Sequence, residues 1–388
     1  MESGQLRKLN LCYAGIQSLY WAGFAAIWAF LSVLLLYRGF SNSQIGTVSA
    51  LALLMPLAVQ PVLASLADRD RRFTSRRLAM ALTGLLLLCA VGLWCSAGSM
   101  VVTAALYVLV GISLTATAPF HSAMAMELQQ HGVALNYGLS RGLGSACYAA
   151  SVLVLGVVVE RYAPTAVLPV FAGEMLLLLL LTWRFRASPT AAAGSGPVLS
   201  VGQLLRCYPA YTWLLVGCAL LMACHSATCT YMIHIVGKVG GSESMMGSAL
   251  AVAAFLELPA MGLFSRVRRK VPLAWLLIFC AVFFVIRAGL FWAARSVPVL
   301  YLAAALDFFE YGIFIPATVY YVAEHIDPAN QVKGQSLMGM ATTGVGSAFG
   351  NFVSGQLLDR TGVNGMLLFC TICATVGLLV VIYAVRKK

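Results

Sequence analysis

Charge is scarce in this chain, and acid is scarcer than base. Only 10% of the 388 residues are charged, where an ordinary soluble domain carries roughly a quarter. The 13 acids are outnumbered by 25 lysines and arginines, and 61% of the residues are hydrophobic, a composition that excludes a soluble globular domain. The sequence also shows no nucleophile set beside a base, no metal-ligand spacing and no glycine-rich phosphate loop ahead of a lysine. It therefore predicts neither an enzyme nor an ATP-driven machine, and no cofactor. The start of the chain has Arg7 and Lys8 but also polar Asn10, Gln17 and Ser18, and no small-residue cleavage site. The first apolar run thus reads as a retained span and not as a signal peptide. The eleven cysteines lie almost all within apolar runs and make no extracellular framework. They read as small packing residues, Cys370 and Cys373 of "CTIC" included.

What is present is a series of apolar runs of about 20 residues, the length that crosses a bilayer. They fall at 11–37, 44–67, 77–97, 100–126, 138–159, 165–183, 210–236, 246–265, 272–294, 298–323, 335–357 and 365–385. The predicted fold is an all-α membrane protein of twelve transmembrane helices. With the N-terminus inside, eighteen basic residues fall in cytoplasmic segments and five outside, namely Arg38, Arg161, Lys238, Arg295 and Arg360. Such asymmetry follows the positive-inside rule and predicts a multi-pass protein of the cell inner (plasma) membrane with both termini cytoplasmic. The net charge of +12 then reports topology in a lipid bilayer, not a nucleic-acid partner.

The two halves repeat. "PVLASLADRDRR" from Pro61 matches "PAMGLFSRVRRK" from Pro259, and "AMELQQHGVALNYGLS" matches "VAEHIDPANQVKGQS", pairing Glu127 with Glu324. "VVERY" (Glu160, Arg161) matches "LLDRT" (Asp359, Arg360). Each match falls at the equivalent loop of a six-helix unit, as in transporters built from repeats around a mid-membrane site. The expected domains are a six-helix bundle over 1–186, a cytoplasmic linker rich in Ala, Gly, Ser and Pro over 187–209, and a second six-helix bundle over 210–388.

"ASLADRDRRFTSRR" (64 to 77) resembles the loop between helices two and three of the major facilitator superfamily, G-x-L-A-D-R-x-G-R-R, with Ala64 and Arg71 where the family usually has glycines. More specifically, the chain is similar along its whole length to the lactose permease branch and its relatives, the oligosaccharide and nucleoside proton symporters. "QPVLASLAD" looks like that branch's second helix and "NYGLSRGLGS" (136 to 145) like the start of its fifth, where an arginine binds sugar hydroxyls. "FLELP" places Glu257 on its helix-eight glutamate, "VIRAG" places Arg287 on its helix-nine arginine, and "LDFFEYG" covers its helix-ten His-x-x-Glu, with Asp307 in the histidine's place. Ala123 falls where a sugar-binding helix-four glutamate would be, with Glu127 one turn later, and Tyr148 replaces a sugar-stacking tryptophan. The resemblance implies retained coupling machinery with altered determinants for lactose. It also implies that Asp68 and Arg69 form a cytoplasmic gate latch, the alternative being a positive-inside anchor alone.

Read from the residues, a charge at the bilayer centre costs about 3 kcal/mol even on the lenient insertion scale, so each buried one needs a partner, a cavity or a purpose. Glu257, Arg287, Asp307 and Glu310 lie at depths within roughly 8 Å of one another at about 1.5 Å per residue. Asp307 and Glu310, three apart, are expected on one face of a continuous helix. Three carboxyls facing one arginine cannot all ionise in low dielectric, so one is expected to hold a proton. Glu310 is the expected main proton site, Arg287 its switch, Asp307 a relay and Glu257 a link to substrate. A static salt-bridge network is the alternative, against which the surplus of acids argues. In the first half Arg141 and Glu127 can approach each other and suit vicinal hydroxyls or a heterocycle edge, or else form a structural bridge. Tyr148, on the face of Arg141, can stack on a ring or simply pack. His121 and His225 can line a substrate cavity or be satisfied packing histidines.

The sequence thus predicts a secondary transporter. Its leading form is a proton symporter of a small polar solute (sugar, glycoside or nucleoside), working as a monomer by alternating access. A proton-coupled drug or metabolite efflux antiporter is the second form, disfavoured because 138–160 contains no proline. A transport-incompetent membrane sensor is the third.

Overall fold

A computed structural model describes residues 3–69, 73–96, 98–130, 133, 135–185 and 200–387. Among the described residues every regular element is a helix. In hydrocarbon each backbone N–H and C=O must be satisfied within the protein, which leaves helices as the natural form for these apolar runs. The first half holds α1 (Ser3–Phe24), α2 (Leu31–Tyr37), α3 (Asn42–Arg69), α4 (Ser75–Cys95), α5 (Met100–Gln130), α6 (Tyr137–Arg161) and α7 (Val167–Arg184). The second holds α8 (Val201–Cys207), α9 (Pro209–Thr230), α10 (Met232–Gly237), α11 (Glu243–Arg268), α12 (Leu273–Ala293), α13 (Val297–Ala305), α14 (Tyr311–His325), α15 (Gln331–Gly339) and α16 (Ser347–Arg386).

Ten of the described helices are long and apolar enough to cross a membrane, or eleven if the bent pair Leu6–Ala29 and Leu31–Tyr37, which meet at 43°, counts as one. One of these stretches, Gln331–Arg386, has 56 residues. At about 1.5 Å per residue it is close to twice the thickness of a bilayer with its headgroups. Its backbone leaves helical geometry at Gly362, where φ is 70°, a value open to glycine at little cost. Divided there, it supplies two spans.

The chain forms two compact units, 1–40 with 51–193, and 41–50 with 194–388. This differs from a plain division at 186, because the first turns of α3 belong with the second unit. The cause is the Asp359 carboxylate. It accepts hydrogen bonds from Asn42 N (3.2 Å), Asn42 Nδ2 (2.9 Å), Ser43 N (2.8 Å) and Ser43 Oγ (2.6 Å), so it caps the N–H groups that open α3. Tyr231 adds a bond from its hydroxyl to the carbonyl of Asn42 (3.3 Å) and another to that of Asn351 (3.1 Å). The expected linker also ends in structure. Ser200 and Gln203 form a reciprocal capping box that starts α8 inside the 187–209 segment, while 187–199 lies outside the described residues.

In the second unit α16 packs along α9 through small residues. Cβ atoms added at Gly346 and Gly350 would overlap the carbonyls of Ala219 and Ala223, so the two helices approach at backbone distance. This is how helices associate where lipid removes the hydrophobic drive between them. A Gly350→Leu variant is expected to lose about 1–3 kcal/mol by overpacking. Thermal unfolding of the detergent-solubilised protein measures it, and a midpoint equal to wild type would refute the close-packing account.

Candidate functional site

The tenth span is not one helix. α13 stops at Ala305, a 3-10 turn covers Leu306–Phe308, and α14 begins at Tyr311 after Glu310, whose φ and ψ are −86° and −92°. This corrects the expectation of a continuous helix across "LDFFEYG". Gly312 and Pro316 follow the break at once. Pro316 withholds an N–H and crowds the carbonyl four residues back, that of Gly312. Gly312 lets the chain pass α11, where an added Cβ would come within 2.6 Å of Ala260 Cβ. Asp307 and Glu310 stand at the discontinuity and are each 1% exposed. Across the break the two carboxylates still face the same way, toward Arg287 Nη1.

Arg287, on α12 and 1% exposed, is their common partner. Its Nη1 lies 3.1 and 3.2 Å from the two oxygens of Glu310 and 3.2 Å from Asp307 Oδ1. Its Nε donates to the carbonyl of Ala303 in α13 (3.2 Å). The guanidinium therefore holds both the carboxylates and the backbone on the N-terminal side of the break. Its face lies 5.1 Å from the ring of Phe291. Glu257, on α11, stands beside the break, where a Cβ added at Gly312 would meet its Cα at 3.5 Å.

The fifth member is His225 of α9. Its Nδ1 is 2.9 Å from Glu310 Oε1, 3.7 Å from Asp307 Oδ1 and 3.4 Å from Arg287 Nη1. Its ring lies on Tyr311 at 4.4 Å and 8°. The sequence reading had grouped His225 with substrate; the structure sets it among the carboxylates. The missed signal was depth: it is eleven residues from the outer end of its run (236 − 225), matching Glu257 at eleven (257 − 246) and Glu310 at twelve (310 − 298). His225, Asp307 and Glu310 each offer a ligand atom within 4.8 Å of the others. The Nη1 of Arg287 already supplies the cation there, so the arrangement reads as an acid–arginine–imidazole site and not as a metal centre.

The first unit holds the other predicted residues. Arg141 donates to Ser145 Oγ (2.7 Å) and lies 4.0 Å over the ring of Trp21, while Glu127 accepts from Ser75 Oγ (2.6 Å). Trp21 is thus a ring beneath the arginine. Tyr148 sits 6.4 Å from Phe24. His121 is buried edge-on against Tyr20 at 5.5 Å, and neither ring nitrogen has a hydrogen-bond partner among the described residues. The side chains of Asp68 and Arg69 lie outside the described residues. In the matching loop of the second half Arg268 Nη2 reaches both oxygens of Glu324 at 2.8 and 2.7 Å. The repeat itself was the signal for that pair.

Comparison with known proteins places these features. Residues 10–381 match the model of the MFS_1 like family. The maltose permease of Geobacillus stearothermophilus is 26% identical over 367 residues, covering 94% of this chain and 92% of that protein. The uncharacterized transporter YwbF of Bacillus subtilis (strain 168) is 21% identical over 385 residues, covering 97% and 94%. Among solved structures, the nucleoside transporter NupG superposes with a TM-score of 0.82 at 16% identity, over 98% of this chain and 99% of that one. A bacterial homologue of the human lysosomal transporter Spinster superposes at 0.67 and 13%, over 100% and 95%. The structural likenesses show the fold, and the curated relatives are transporters, not enzymes. With nearly its whole length matched, the chain belongs to the MFS_1 like family and is a multi-pass membrane transporter of the major facilitator superfamily.

Proposed function

We propose that the protein is a proton-coupled symporter of a small neutral polar solute of the sugar or nucleoside class. It works as a monomer by alternating access of its two six-helix halves in the plasma membrane, with both termini cytoplasmic. The observation that carries this reading is the buried site of the tenth span, where two carboxylates share one arginine and one imidazole at a broken helix. A site so rich in acid favours binding a proton, and an arginine that moves relative to Glu310 decides when it leaves. In this reading Glu310 is the main proton carrier, Arg287 its switch, Asp307 a relay and Glu257 the link to solute. Arg141 over Trp21, with Glu127 and Tyr148, offers donors, acceptors and ring faces suited to hydroxyls on a ring. The relatives named maltose permease and nucleoside transporter support the solute class.

The test is uptake of labelled maltose and uridine, with a wider sugar and nucleoside panel, into proteoliposomes with an alkaline interior. One pH unit is worth 1.36 kcal/mol, so one proton per solute sets a steady-state accumulation of about tenfold per unit. Accumulation that ignores the pH gradient for every transported solute would overturn the proposal.

A further inference from the structure

Of the groups that touch Glu310, one differs in exposure. The side chain of His225 is 12% accessible, whereas those of Asp307 and Glu310 are 1% and that of Arg287 is 2%. Its ring also spans the site edge to edge. Nδ1 faces Glu310, and Nε2 faces away toward Cys229 Sγ at 3.7 Å. Stacking on Tyr311 and a tilted contact with Phe284 at 6.3 Å hold the ring in that plane.

The distances around Nδ1 suit two protonation states equally. With a hydrogen on Nδ1, the ring donates to ionised Glu310 at 2.9 Å. With Nδ1 bare, it accepts from protonated Glu310 at the same distance, or from Arg287 Nη1 at 3.4 Å. No heavy atom has to move between them. Imidazole is the side chain that can take a proton at one nitrogen while releasing one from the other.

From this geometry we infer that His225 is the port through which Glu310 gains and loses its proton. In the loading step, a proton from water bonds to Nε2, the Nδ1–H bond breaks, and an O–H bond forms on Oε1 of Glu310. The ring passes from the Nδ1–H to the Nε2–H neutral form, and Glu310 from carboxylate to acid. Unloading runs the same transfers backward, which resets the ring without a flip that the Tyr311 stack opposes. The charged and titratable groups facing His225 are Glu310, Asp307 and Tyr311 from the tenth span, Arg287 from α12 and Cys229 on its own helix, with Glu257 of α11 one neighbour further, beyond Asp307. Glu257 is itself partly exposed, and the carboxyl it faces is that of Asp307, so it serves the other carboxylate. The inference rests on Glu310 being the proton carrier of the proposed function.

The experiment is a pH jump on the detergent-solubilised full-length protein, followed by time-resolved infrared absorption of the protonated carboxyl band that Glu310→Gln removes. It needs no solute. His225→Gln keeps a hydrogen-bond donor beside Glu310 without a titrating nitrogen, and is expected to slow protonation of Glu310 by roughly tenfold or more. His225→Asn serves if that variant does not fold. In His225→Gly, added imidazole is expected to restore the rate in proportion to its concentration, which a merely structural role would not do. A rate unchanged in His225→Gln, or slowed by Glu257→Gln instead, overturns the port and leaves the symporter reading intact. A carboxyl band that never titrates overturns the assignment of Glu310, and the port with it.

Discussion

Glu310→Gln is expected to abolish accumulation driven by a pH gradient while leaving solute exchange at equal concentrations within about twofold of wild type. Exchange cycles only the loaded carrier, which never has to release its proton. Net accumulation requires the carrier to return empty, and an empty return requires the proton to leave. Glutamine is close in shape to the neutral acid and can donate to His225, but it has no proton to give up. The expected loss in gradient-driven uptake is about 100-fold or more, a size typical of removing a positioned proton-transfer group. Exchange and gradient-driven uptake measured on the same proteoliposomes separate a coupling defect from a binding defect. Equal losses in both would assign Glu310 to solute binding, and no loss in either would remove it from the site.

Arg287→Met is expected to be the most destabilising single change at the site. Removing one partner of a buried ion pair typically costs about 3–5 kcal/mol, because the charge left behind has neither water nor a counter-ion. Here Glu310 and Asp307 are both left behind, and the Ala303 carbonyl loses its donor. The fold tolerates a neutral acid where it does not tolerate an anion. The variant therefore binds more protons folded than unfolded, and its stability is present at low pH and lost as pH rises. Adding Glu310→Gln and Asp307→Asn removes the stranded charges and is expected to recover most of the loss. Thermal unfolding across pH, with the triple variant as comparison, checks both statements. A pH-independent penalty in Arg287→Met that the triple variant does not relieve would mean that packing against Phe291, not charge, holds the arginine.

Much of this molecule is legible in one dimension. The class of protein follows from hydrophobic runs, since only helices satisfy their own backbone in hydrocarbon. The acid–arginine cluster was legible for the same reason: a charge in an apolar span is costly enough that four at one depth predict contact. Three features were not legible. A broken tenth helix depends on Arg287 reaching the Ala303 carbonyl from another helix and on α11 passing at Gly312, while the local sequence shows only a glycine and a proline nearby. His225 is a single histidine in an apolar run, and a lone histidine there has many uses until its neighbours are known. The seating of residues 41–50 in the second unit rests on Asp359, more than three hundred positions away.

By itself the sequence determined that the chain is a helical membrane protein with ionisable groups it could not leave unpaired, because those properties come from transfer free energies summed along short stretches. Only the tertiary structure decided which nitrogen faces which oxygen, where the tenth span breaks, and that Arg141 lies on Trp21. Those depend on contacts a few ångströms long between residues far apart in the chain, and hydrophobic periodicity carries no record of them.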